Sequence, residues 1–227
     1  MTTTTETKSL PRGVRWVTYL VMMALVLAAS ALLTVRMAPQ VATLDNETIW
    51  YAIRSSGNVA YLLLAASAVW GILLSSKIVK QWVPAAVALD LHNYLSWLAI
   101  GLTILHAALL LASSYFNYSL LNLLVPFTGP FKPFWVGLGI IGLYLMIITT
   151  VTFYAAEQIG YKTFHRLHIL TYVAFVASLL HSIVSGTDTA AMMPVYLATG
   201  LVVLFFTAYR VLALPAGKGR VPARVNK

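Results

Sequence analysis

The 227-residue chain contains no cysteine, and only 9% of its residues are charged, six of them acidic. Without thiols it can form no disulfide, attach no c-type haem through C-x-x-C-H, and hold no iron–sulfur cluster on thiolates. Any redox centre must sit on other ligands. A soluble domain carries about 25% charged residues. With 60% apolar residues and a mean hydropathy of +0.83, the chain reads as a polytopic helical membrane protein. Its net charge of +9 comes from basic residues grouped beside apolar runs, the pattern that topology selection in a bilayer produces. Nucleic acid is therefore not expected as a partner; the lipid bilayer is.

Six apolar runs stand near the roughly 20 residues that a helix needs to cross a bilayer. They are Val17–Val35, Asn58–Ser76, Leu91–Leu111, Trp135–Tyr154, Leu167–Val184 and Val195–Leu214. The expectation is an all-α integral membrane protein, a six-transmembrane helix bundle. The first run follows Lys8, Arg12 and Arg15 but is longer than the apolar core of a signal peptide, so a retained helix is expected. Counted on alternate sides of six spans, 12 of the 15 Lys and Arg residues fall on one side, and only Arg36, Arg54 and Lys132 on the other. Both termini should then be cytoplasmic, in an inner or plasma membrane. The expected organisation is a disordered N-terminus over 1–13, a membrane domain over 14–214 and a basic tail over 215–227. The connection over 112–134, with Pro126, Pro130 and Pro133, should lie along the outer interface as a short amphipathic or re-entrant piece covering that end of the bundle.

All five histidines lie on or beside two of these runs: His92 and His106 on the third, His165 just before the fifth, and His168 and His181 on the fifth. Ionisable side chains inside a span are costly and mark functional sites by default. His92 and His106 are 14 residues apart, about 21 Å of rise, and His168 and His181 are 13 apart, about 20 Å. The two helices thus offer one imidazole each at two matching depths. Two facing imidazoles with no third protein ligand suit the axial positions of a haem iron, whereas zinc takes three or four protein ligands. The helical angle is satisfied by His92 and His106, which point within roughly 40° of each other. His168 and His181 differ by roughly 140°, so the fifth helix must be tilted, distorted or bulged, or else two haems flank it. The competing class is a transporter or channel that uses the histidines as a proton or metal relay. His165 is expected to be an interfacial histidine.

These residues carry a resemblance. Leu91-His92-Asn93-Tyr94-Leu95-Ser96 with His106, and Phe164-His165-Arg166-Leu167-His168-Ile169-Leu170-Thr171-Tyr172 with His181, resemble the ferric-reductase-like transmembrane family. That is the haem domain shared with NADPH oxidases and with the membrane haem subunit of the periplasmic methionine sulfoxide reductase system. Ser56-Gly57-Asn58-Val59-Ala60-Tyr61 and Leu124-Val125-Pro126-Phe127 extend it over roughly residues 50–190. The resemblance implies two b haems, the inner on His92 and His168, the outer on His106 and His181, and a role as an electron-carrying cytochrome b and oxidoreductase component. Arg54 is the candidate partner of an outer haem propionate, and Arg166 of an inner one. No G-x-G-x-x-G or comparable dinucleotide-binding loop is read in the chain, so the FAD and NADPH modules of the oxidases are expected to be absent. Electrons should then arrive from a cytoplasmic flavin reductase or a quinol, the flavin or quinone being supplied from outside. They should leave to an acceptor such as ferric chelate, oxygen or an extracytoplasmic reductase.

Overall fold

The computed structural model describes residues 45–76, 78–79 and 82–212; the first apolar run, Val17–Val35, and the terminal segments 1–13 and 215–227 lie outside the described residues. Among the described residues the structure is helical, without strands. Its elements are α1 (Asn46–Ser75), α2 (Ala85–Leu109), α3 (Leu120–Leu124), α4 (Pro133–Tyr154), α5 (Ala156–Ile159), α6 (Tyr161–His168), α7 (Leu170–Ser185) and α8 (Thr189–Leu212). Four helical stretches are long and apolar enough to cross a membrane: α1, α4, α6 with α7 taken together, and α8. α2, at 25 residues about 37 Å long, has the length but carries Asp90, His92, Asn93 and His106, which lower its hydropathy.

Helix ends follow local chemistry. α1 starts well before the apolar run that announces it, with Glu47 in its first turn, where a carboxylate complements the helix dipole. α4 begins with Pro133 at its first position, a site that needs no backbone donor, directly after Lys132 in the left-handed region at φ 41°. The expected single fifth helix is divided at Ile169, where the Tyr172 amide bonds back to the Ile169 carbonyl at 3.1 Å. That break lies immediately after His168, where the 13-residue spacing demanded a departure from an ideal helix.

α1 packs most extensively on α2 and α4 on α7, while α1 also touches α7 and α8. Small residues make the close approaches: Ala88, Ala99 and Ala174 are essentially inaccessible, as expected where van der Waals contact between helices replaces a hydrophobic driving force. One core cluster gathers Tyr61, Ala65, Ile72, Phe175, Tyr196 and Val203, and another Ala99, Ile100, Met146 and Ala174. Tyr61 stacks on Phe175 and meets Tyr196 edge-on, and its hydroxyl pairs with Thr199 Oγ1 at 2.5 Å. The opposite face of α8, with Leu201, Leu204 and Phe205 about two-thirds exposed, is the surface a lipid-facing helix presents.

The 112–134 connection forms a compact cap. α3 is held by a reciprocal box between Ser119 and Asn122, Asn122 also donates to the Thr128 carbonyl at 2.8 Å, and Tyr144 donates to the Leu124 carbonyl. Tyr118 donates to the Phe131 carbonyl at 3.1 Å; burial pushes its phenol above the ordinary range. Three non-glycine residues here, Asn117, Phe127 and Lys132, have positive φ, a conformation tolerated only where surrounding contacts hold it.

Candidate functional site

α2 contributes His92 and His106, α6 contributes His168, and α7 contributes His181. Across the bundle His92 faces His168, and His106 faces His181. In each pair the ring centroids are 6.2 Å apart, with the planes inclined at 72° and 76° respectively. No hydrogen bond joins either pair. Instead the Nδ1 atoms of three rings meet backbone carbonyls: His92 with Ser67 at 3.2 Å, His106 with Ile53 at 2.8 Å, and His181 with Trp135 at 3.0 Å. A carbonyl can only accept, so each of these Nδ1 atoms carries the proton and each Nε2 keeps its lone pair. The fourth ring, His168, differs: its Nδ1 is buried without a partner, and its flank is occupied by Phe164, 5.2 Å away between centroids.

Glycines make room for three of the rings. A Cβ on Gly57 would stand 2.8 Å from His106 Nδ1, one on Gly71 3.0 Å from His92 Cε1, and one on Gly139 2.9 Å from His181 Cγ. Gly57 and Gly71 are 14 residues apart on α1, as His92 and His106 are on α2. The two antiparallel helices therefore present bare backbone to imidazole at two depths.

A cavity lies at each pair. One is walled by His106, His181, Gly57, Gly139 and the cap residues Phe116 and Tyr118; the other by His92, His168, Gly71, Asn93, Phe164 and Arg210. Leu64 and Met146 belong to both walls and form the apolar septum between them. These residues fit a metal held between two imidazoles. The 6.2 Å between the ring centroids of each pair would leave room for an ion bonded at about 2.0 Å to one nitrogen of each ring. Among the described residues no three His, Cys, Asp or Glu side chains converge as an all-protein metal cage requires. The remaining ligands would have to come from the cofactor, as a porphyrin supplies them.

A family model described as ferric reductase like transmembrane component matches residues 56–179. The chain belongs to that family. No curated protein and no solved structure matches it significantly. The matched segment of this ferric-reductase-like chain runs from Ser56, beside Gly57, to two residues before His181, so it takes in three of the four paired histidines. Membership indicates a transmembrane electron-transfer component.

The other residues singled out in the sequence have different surroundings. Arg54 borders the His106/His181 cavity, but its guanidinium is already taken: Nε donates to Asp188 Oδ2 at 2.7 Å and Nη2 pairs with Oδ1, while the group stacks 3.9 Å over Trp50. Asn58 also donates to Asp188, at 3.3 Å. His165 is exposed at the edge of the other cavity, its Nδ1 bonded to the Tyr161 carbonyl at 2.6 Å. Arg166 does not border that cavity. Contrary to the sequence reading, the chain does spell G-x-G-x-x-G once, as Gly137-Leu138-Gly139-Ile140-Ile141-Gly142. The pattern lies inside α4 with no strand before it, so it is not a nucleotide loop. Its glycines instead admit Phe127, His181 and Ser178.

Proposed function

We propose that this chain is a b-type cytochrome that moves single electrons across the bilayer, from a cytoplasmic flavin or quinol donor to an extracytoplasmic acceptor. The observation that carries the reading is the equal 6.2 Å spacing of two imidazole pairs whose Nε2 atoms make no hydrogen bond. His92 and His168 would ligate an inner haem, and His106 and His181 an outer one. A bound b haem supplies a centre that gains and loses one electron at a time. The carbonyls of Ser67, Ile53 and Trp135 hold three rings in the tautomer and orientation that ligation needs and raise their basicity. Leu64 and Met146 exclude water between the two levels, and the cap over 112–134 shields the outer one, which lowers the local dielectric and tunes the potential. The bundle is read as six spans with both termini cytoplasmic in an inner or plasma membrane, because 12 of 15 basic residues fall on that side.

The purified chain is expected to show reducible Soret and α bands, with two haems per chain by pyridine haemochrome. One haem in a folded preparation would remove one level, and no reducible band would favour the histidine-relay class instead.

Arg54 and Asp188 should act on the outer level as a compensated pair. Arg54→Ala removes a positive charge and favours the ferric form, so the outer midpoint potential falls. Asp188→Asn leaves Arg54 without its counter-charge and raises it. Each shift is expected at roughly 60 mV, about tenfold in the one-electron redox equilibrium, and the double variant should return near wild type. Shifts of the same sign in both single variants would show that they act through structure rather than charge.

A further inference from the structure

The two cavities differ in how their arginines are partnered. Arg54, at the His106/His181 cavity, has a carboxylate on it. Arg210, half-buried near the end of α8 and bordering the His92/His168 cavity, has none among the described residues. Its only hydrogen bond among the described residues runs from Nε to Ser75 Oγ at 3.3 Å, and Ser75 in turn donates to the Ile72 carbonyl at 2.8 Å. Among the described residues no Asp or Glu borders this cavity. Among the described residues, the terminal nitrogens of the guanidinium, with four N–H donors in a planar fork, meet no acceptor. A half-buried cation at the membrane edge calls for an anionic partner. The fork shape matches a carboxylate, to which it can donate two parallel bonds. The place is also specified: Ser75 follows Gly71, whose backbone admits the His92 ring, by one helical turn, or about 6 Å of rise along α1.

We propose that Arg210, steadied by Ser75, binds a propionate carboxylate of the haem held by His92 and His168. This rests on the haem reading above. The site was not visible in the sequence, which nominated Arg166 on the helix of the ligand rather than an arginine 42 residues beyond His168 in the chain. Arg210 is a binding residue for the porphyrin edge and takes no part in ligating the metal.

The test is the rate at which the inner haem leaves detergent-solubilised protein for an excess of apomyoglobin. The protein is loaded either with natural haem or with the haem dimethyl ester, whose carboxylates are masked. With natural haem, Arg210→Gln should lose the inner haem about tenfold faster than wild type, the loss of one charge-assisted contact. Arg210→Lys should fall between them, and Ser75→Ala should shift in the direction of Arg210→Gln. With the dimethyl ester, wild type and Arg210→Gln should release the inner haem at the same rate. Equal rates with natural haem, or an unchanged tenfold gap with the ester, would overturn the proposal. The outer haem reports folding: it should stay bound in every variant. A wild-type protein that takes up no haem at all would instead overturn the cytochrome reading, so the two failures are told apart.

Discussion

His106→Ala is expected to reduce the haem content from two per chain to one, with the remaining haem showing the spectrum and potential of the inner level. His106 supplies one of only two imidazoles at its depth, and its partner His181 lies across a cavity with no substitute ligand. Among the described residues no third histidine, cysteine or carboxylate joins either pair. His181→Ala should do the same. His165→Ala serves as the opposite control, because that ring is exposed and bonded to the Tyr161 carbonyl while His168 is the ring that faces His92. It should keep both haems. Pyridine haemochrome quantitation with a potentiometric titration reads both quantities. Two haems with unchanged low-spin signatures in His106→Ala would take that residue out of the ligand set.

Gly57→Val should abolish the outer haem nearly as completely, without touching a ligand. An ideal Cβ at this position stands 2.8 Å from His106 Nδ1 and 2.9 Å from Cε1, closer than real Cβ contacts come. The branched side chain must displace the imidazole from the Ile53 carbonyl that orients it at 2.8 Å. The ring cannot retreat without leaving the axis it shares with His181, and a misoriented ligand forfeits the precision such sites require. Gly57→Ala should give a partial loss. Gly71→Val should carry the same effect to the inner haem, since a Cβ there meets His92 at 3.0 Å. Gly101→Ala, in the middle of α2 with nothing within 4 Å, should leave both haems in place and raise the thermal transition slightly, since alanine is the better helix former. If Gly57→Val retained its outer haem while Gly101→Ala lost one, the close approach would have no functional meaning.

The histidine spacing could be read from the sequence because axial rise is a property of one helix: 14 and 13 residues give matched depths whatever the neighbours do. The break at Ile169 was only implied. The angular mismatch of His168 and His181 called for a distortion, but no proline or glycine marks its position. What could not be read were the relations between distant segments. Arg54 looks like a free cation next to a span until Asp188, 134 residues later, is brought against it. Gly57, Gly71 and Gly139 look like ordinary glycines in apolar runs until the packing of α1 on α2 and of α4 on α7 sets imidazoles opposite them. The same holds for the G-x-G-x-x-G spelling in α4, whose glycines meet Phe127, His181 and Ser178 only once α7 and the cap are packed against that helix. The start of α1 at Asn46 rather than Asn58 was missed for a different reason: its first turns carry Asn46, Glu47, Arg54 and Ser55, and a hydropathy window stops at polar residues that a helix does not.

The matched spacing of Gly57 and Gly71 against His106 and His92 restricts how this chain can change in length. One residue inserted into α1 between the two glycines turns the far part of the helix by about 100° and slides it about 1.5 Å. A residue with a side chain then arrives where bare backbone met an imidazole. A compensating insertion in α2 restores the axial match but swings its own histidine off the shared face. Between the two levels, insertions and deletions are therefore tolerable only in α1, α2 and the α6–α7 stretch together, since His168 and His181 must keep the same two depths, and in units near two full turns. The described residues of the α1–α2 connection, Ser76, Ile78, Val79, Trp82, Val83 and Pro84, fall outside the interval between the two glycines, so a change of length there leaves that interval intact. Length variation among relatives should accordingly collect in that connection, and the 14-residue interval should behave as a fixed ruler.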